Sequence, residues 1–151
     1  MSDTEKIIWR QAPGSLPPGR PFIELNIFSN QLLSGSEVES AKDSGQYKKS
    51  LALIDTGADS LYIDRRLAEE MSPKFIPLGE SKVTSASALS ETQYYDATIE
   101  FLASRRILCH QVHVVDLPGN PPYHVILGNS ILKRFHLEIN HQTKSYFLRY
   151  L

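Results

Sequence analysis

The segment that most restricts how this chain can fold is a short apolar run, Leu51-Ala52-Leu53-Ile54, that stops at Asp55-Thr56-Gly57-Ala58. The run does not alternate between apolar and polar residues, so it predicts a strand covered on both faces, in the middle of a sheet. The next residues must leave the core at once: Asp, Thr and Gly favour a turn, and an unpaired carboxyl cannot be carried into apolar surroundings cheaply. The expectation is a carboxyl lifted from a buried strand to the mouth of a sheet.

The rest of the chain reads mostly as strands. Ile23, Leu25 and Ile27 alternate with Glu24 and Asn26, as in a strand with one apolar face, and the ordered domain is expected to begin at Phe22. Before it, the Pro- and Gly-rich stretch from Gln11 to Pro21 predicts an extended arm, which divides the chain into an arm of residues 1–21 and a domain of residues 22–151. Residues 34–50 are polar and Ser-rich, and predict an exposed, mobile loop or hairpin tip. Residues 64–71 carry a capping aspartate and a stop at Ser72-Pro73, and predict a short helix. Residues 83–102 predict a long hairpin with a small-residue tip, Ser85, Ala86, Ser87, Ala88, Leu89 and Ser90. Further strands are expected over residues 107–115, 124–127, 137–139 and 145–150, with Asn129 capping a short helix that runs to Phe135. The fold class is therefore all-β with one or two short helices.

Composition sets the bounds. With 151 residues, 41% of them hydrophobic, the chain fills one domain and has the apolar content to form a core. A formal net charge of −1 supplies no field that would draw it to nucleic acid or an anionic membrane, so neither partner is expected. No stretch approaches the roughly 20 apolar residues of a membrane-spanning helix, and the first residues lack the apolar centre of a secretory signal. The single cysteine, Cys109, cannot form an intrachain disulfide, which points to a cytoplasmic location.

The segment from Leu51 to Ile63, LALIDTGADSLYI, resembles the catalytic strand and turn of retropepsin-like aspartic proteases, the retroviral enzymes and their bacterial and cellular relatives. Further on, Val125-Ile126-Leu127-Gly128 leading through Asn129 to Phe135 resembles the family's second signature, and the hairpin between the two lies where that family places its flap. The resemblance implies a retropepsin-like fold with a flap hairpin, and a homodimer whose active site takes Asp55 from each subunit. It also implies a polypeptide substrate and no cofactor. Two carboxyls brought so close cannot readily both ionise, so they share a proton. One then takes a proton from an attacking water, and the other donates to the developing oxyanion. On the same resemblance Thr56 hydrogen-bonds across the dimer axis, Gly57 lets backbone amides approach the carboxyls, Ala58 continues the turn, and Gly128 permits close packing beneath it.

Two positions depart from the retroviral pattern. The flap tip is Ser and Ala instead of glycine-rich, and Asn129-Ser130 stands where those enzymes carry an arginine that pairs with the acidic residue matching Asp59. The alternative reading is a peptide-binding or assembly module of the same fold with little activity. A metal-dependent hydrolase built on Cys109, His110 and His113 is a weaker rival. On a regular strand His110 and His113 face opposite ways and only Cys109 and His113 share a face, so ordinary packing and surface roles are expected, with no metal. No G-x-S-x-G elbow supports a serine nucleophile.

Overall fold

The computed structural model describes residues 4–10, 19–84, 89–102, 105–119 and 121–151. In chain order the elements are β1 (Thr4–Lys6), β2 (Ile8–Arg10), β3 (Arg20–Phe28), α1 (Gly35–Asp43), β4 (Lys48–Ile54), β5 (Leu61–Asp64) and α2 (Arg65–Glu70). They continue with β6 (Gly79–Thr84), β7 (Leu89–Phe101), β8 (Arg106–Val115), β9 (Val125–Leu127), α3 (Asn129–Leu132), β10 (Phe135–Asn140) and β11 (Ser145–Tyr150). No helix among the described residues is long and apolar enough to cross a membrane.

The unalternating run 51–54 lies in the middle of the larger sheet. That sheet has eight strands in the order β2-β3-β4-β9-β5-β8-β7-β6, and an additional β3–β7 pairing closes strands β3 to β7 on themselves. β4 runs antiparallel to β3 and parallel to β9, with Ala52 opposite Val125 and Ile54 opposite Leu127. Closure gives the sheet an inner face on which Leu25, Ile27, Ala52, Ile63, Ile99, Val125 and Leu127 are buried as one core. Burial of each large side chain there contributes about 1.5–3 kcal/mol. A second sheet, β1-β11-β10, carries Leu148 and Phe135 onto the same core.

The N-terminal segment is not wholly a free arm. Thr4 to Lys6 pair with β11, and Ile8 to Arg10 pair with the start of β3, which begins at Arg20 instead of Phe22. Residues 11–18 of the expected arm and Ser85, Ala86, Ser87 and Ala88 of the expected flap tip lie outside the described residues.

Residues 34–50 correct the expectation of a mobile loop: they hold α1 and the first residues of β4. The helix starts because the Ser34 side chain accepts the Glu37 amide at 3.2 Å, while the Glu37 carboxylate accepts the Leu33 amide at 3.1 Å. The pair resembles a Ser-x-x-Glu capping box, with the glutamate accepting from the residue before the cap. Few apolar residues are enough, because Val38 and Ala41 lie three apart on one face and pack on Phe28, with Tyr47 stacked on the same ring. Lys42 then reaches Glu100 on β7 at 3.1 Å, and Glu100 also accepts from the Asn26 amide on β3 at 3.0 Å. The described residues therefore hold three short helices, where one or two were expected.

Glu100 and Asn26 are both buried, so removing the carboxylate strands a buried amide and breaks the ion pair between α1 and β7. Glu100→Ala is expected to lower stability by about 2 kcal/mol, read from the urea unfolding midpoint at constant m.

Candidate active site

Asp55 follows directly on β4, and its backbone amide donates to the Leu127 carbonyl at 3.0 Å, so the last bond of the β4–β9 ladder positions it. The chain then turns: the Ala58 amide returns to the Asp55 carbonyl at 3.2 Å, and the Gly57 amide donates to Asp55 Oδ1 at 2.9 Å. Asp55 is half-buried, whereas Thr56 and Gly57 are exposed at the tip. A β-carbon on Gly57 would stand 3.2 Å from Asp55 Oδ1, so a side chain there would crowd the carboxyl that its amide binds.

The turn rests on residues 128–130. Gly128, Asn129 and Ser130 donate their amides to the carbonyls of Ser60, Ala58 and Asp59 at 2.9, 2.8 and 2.9 Å. A β-carbon on Gly128 would lie 2.3 Å from the Ser60 oxygen and 2.7 Å from the Ala58 oxygen, both backbone atoms that cannot swing aside. Contrary to the expectation, Asn129 does not cap α3; Gly128 holds the cap position, and the Asn129 side chain donates instead to the Thr56 carbonyl at 2.9 Å. Asp55, Thr56, Gly57, Ala58 and Gly128 are thus assembled in one place. Of the expected flap residues, Leu89 and Ser90 pair with Thr84 and Val83 at the end of the β6–β7 hairpin.

Strand alternation separates two faces around this turn. Residues 52, 54, 61, 63, 125 and 127 belong to the core, and the residues between them point the other way. Leu53, Ile126, Tyr62, His113 and Tyr94 stand opposite one another across β4, β9, β5, β8 and β7. Asp55, two residues beyond Leu53, continues on the face of this row. His113 reaches it through a bulge. The β7–β8 register shifts between Tyr95 and Ala97, with Gln111 at φ 55°, so one extra residue separates Cys109 from His113. The shift corrects the expectation that Cys109 and His113 share a face: Cys109 lies opposite Ala97 in the core, and His113 lies opposite Tyr94 outside it. Burial pushes the Cys109 thiol up to about 12, which leaves it unreactive.

Reading the sequence did not single out the partners of Asp59. The Tyr62 phenol donates to its carboxyl, and the Tyr62 ring stacks on His113 with centroids 5.4 Å apart. Burial, then the hydrogen bond to Asp59 and the charges of Asp59 and Asp55, hold the phenol well above its ordinary range, so it remains a donor. Burial pushes His113 below its ordinary value, opposed in part by the charge of Asp59. At the far end of β5, buried Asp64 takes bonds from Arg66 at 2.8 Å and His124 at 3.2 Å. Burial alone would raise its carboxyl, but these partners outweigh it and hold it below the usual carboxylate value.

The family model described as gag-polyprotein putative aspartyl protease matches residues 45–134. Among solved structures, the fold is similar to the crystal structure of a retropepsin-like aspartic protease from Rickettsia conorii. The TM-score is 0.56 and the identity 19%, over 97% of this chain and 93% of that one. No curated protein is matched by sequence.

The geometry leads to two expected outcomes. Gly128→Ala must push a pair of backbone segments apart, and is expected to lower stability by about 3 kcal/mol in urea unfolding. His113 has a depressed folded-state value, so as pH falls through its ordinary 6.5 the unfolded chain takes up the proton first. Its contribution to stability is present above that pH and is lost progressively down to the lower folded value. His113→Phe should flatten the fall in urea midpoint between about pH 7 and about pH 5, measured beside the parent protein.

Proposed function

Since the chain belongs to the gag-polyprotein putative aspartyl protease family, we propose that it is an aspartic endopeptidase whose single site is completed by dimerisation. The observation that carries the reading is the Asp55 turn: one carboxyl, held by the Gly57 amide on a braced loop, with Thr56 and Gly57 exposed beside it. The sequence contains Asp-Thr-Gly once, and the chemistry of this class needs two carboxyls, so a second copy of the chain must supply the other.

In this reading Asp55 and Asp55 of the partner subunit hold one proton between them. The ionised carboxyl takes a proton from water as its oxygen attacks the peptide carbonyl, and the protonated one donates to the developing oxyanion. The tetrahedral intermediate then collapses: the C–N bond breaks, the amine leaves with a proton returned by the dyad, and the new carboxyl group keeps the water oxygen. Thr56, exposed beside Asp55, would meet its symmetry mate across the axis. An extended polypeptide would lie over the row of Leu53, Ile126 and Tyr62, beneath the β6–β7 hairpin, bound by strand addition with its side chains in apolar pockets.

Asp55→Asn removes the ionisable base and leaves the packing unchanged, so peptide cleavage should fall at least about a thousandfold with thermal unfolding little altered. Specific activity of the parent protein should also drop on dilution below the dimer dissociation constant, and should be unaffected by EDTA. Full turnover by Asp55→Asn, or by a monomer verified by analytical ultracentrifugation, would show the dyad to be wrong.

A further inference from the structure

The dyad mechanism gives Tyr62 no role beyond lining the cleft, yet its contacts are unusual. Its phenol donates to Asp59, a side chain that is exposed and could be solvated by water alone. Among the described residues no cation pairs with Asp59; Asn129, which stands where the retroviral pattern has arginine, spends its amide on the Thr56 carbonyl. The Tyr62 ring is seated on His113, with ring planes inclined by 26°. His113 is 6% exposed, and its Nδ1 has no hydrogen-bond partner among the described residues. An orphaned ring nitrogen in a buried place is a standing penalty. What the imidazole contributes there is its flat face, a platform that sets the angle at which the phenol leaves β5.

The turn that carries Asp55 is otherwise held through its backbone. Its first residue hangs on Leu127, and its last three carbonyls rest on Gly128, Asn129 and Ser130. All of these anchors lie along β9 and its continuation. The Asp59–Tyr62 bond is a side-chain anchor of another kind, tying the turn to β5, which pairs with β8.

We propose that Tyr62 is a positioning residue for Asp55: its phenol, seated on the His113 ring, holds Asp59 and thereby fixes the turn that presents the catalytic carboxyl. The inference rests on Asp55 being that carboxyl. Tyr62 touches no reacting atom and acts through Asp59, so it affects the chemical step more than substrate binding. A hydrogen bond to a charged group, once lost, corresponds to roughly a tenfold change or somewhat more.

The test uses the full chain and its variants Tyr62→Phe, Asp59→Ala, the pair combined, and His113→Phe, with two readouts: steady-state cleavage of a peptide, and amide hydrogen exchange across residues 55–60. Tyr62→Phe is expected to lower kcat roughly tenfold while KM stays within about twofold. It should also speed exchange at Gly57 to Ser60 with Val125–Leu127 unchanged. The double variant should be no worse than Tyr62→Phe alone, because both changes break one bond. His113→Phe keeps an aromatic platform and should retain most of the parent kcat. Unchanged exchange in the turn, a rise in KM alone, additive losses in the double variant, or faster exchange throughout β9 would each overturn the proposal. Asp55→Asn, run alongside, separates the two readings. Retained cleavage there sinks Asp55 as the catalytic carboxyl, while exchange in the turn still decides whether Tyr62 holds it.

Discussion

Everything at the mouth of this sheet depends on how closely two backbone segments meet at Gly128. The carbonyls of Ala58, Asp59 and Ser60 accept from three successive amides beginning at that glycine, and the space between the segments admits no β-carbon. Backbone paired to backbone has few ways to rearrange, so the clasp turns a surface loop into an extension of the β4–β9 ladder. Asp55 inherits that rigidity. It is held from below by Leu127 and from within by the Gly57 amide, which is the kind of support a carboxyl needs if its position is to matter chemically.

The same sheet serves two purposes because its faces differ. The closed inner face takes the aliphatic core, and the opposite face carries Leu53, Ile126, Tyr62, His113 and Tyr94 in one row that leads toward Asp55. Period-two alternation alone would have sent Cys109 and His113 the same way. One extra residue around Gln111 reverses the order, burying the thiol in the core and delivering the imidazole to the row. A bulge is a cheap means of re-aiming one side chain while its neighbours stay in register. Here it sends Cys109 and His113, which regular alternation would have put on one face, to opposite sides.

The outer surface of β3 illustrates how polar segments join a fold. Helix α1 brings only Val38 and Ala41 to the packing against Phe28, and makes up the difference with a lysine placed on a buried glutamate that also satisfies Asn26. Burying that carboxylate is tolerable because both of its neighbours donate to it. Asn26, expected on a solvent face, is buried with its amide donating to Glu100.

Much was legible in residue order. The run Leu51 to Ile54 fails to alternate, and a strand with that property must be central; Asp-Thr-Gly after it must turn; the alternation of β3 and β7 identified their buried faces. These are local consequences of side-chain chemistry acting through the period of a strand. The start of α1 was legible as well, in Ser34 and Glu37 three apart, but low hydrophobicity over residues 34–50 outweighed it, because the Phe28 surface that rewards Val38 and Ala41 is contributed by a different element. Tertiary structure alone decided the rest. It set the bulge that separates Cys109 from His113, since register depends on the partner strand. It gave Asn129 to the Thr56 carbonyl instead of a helix end, and it brought Tyr62 to Asp59 and the orphaned imidazole behind them. Those contacts depend on distances between segments far apart along the chain, and no local pattern records such distances until the sheet has closed.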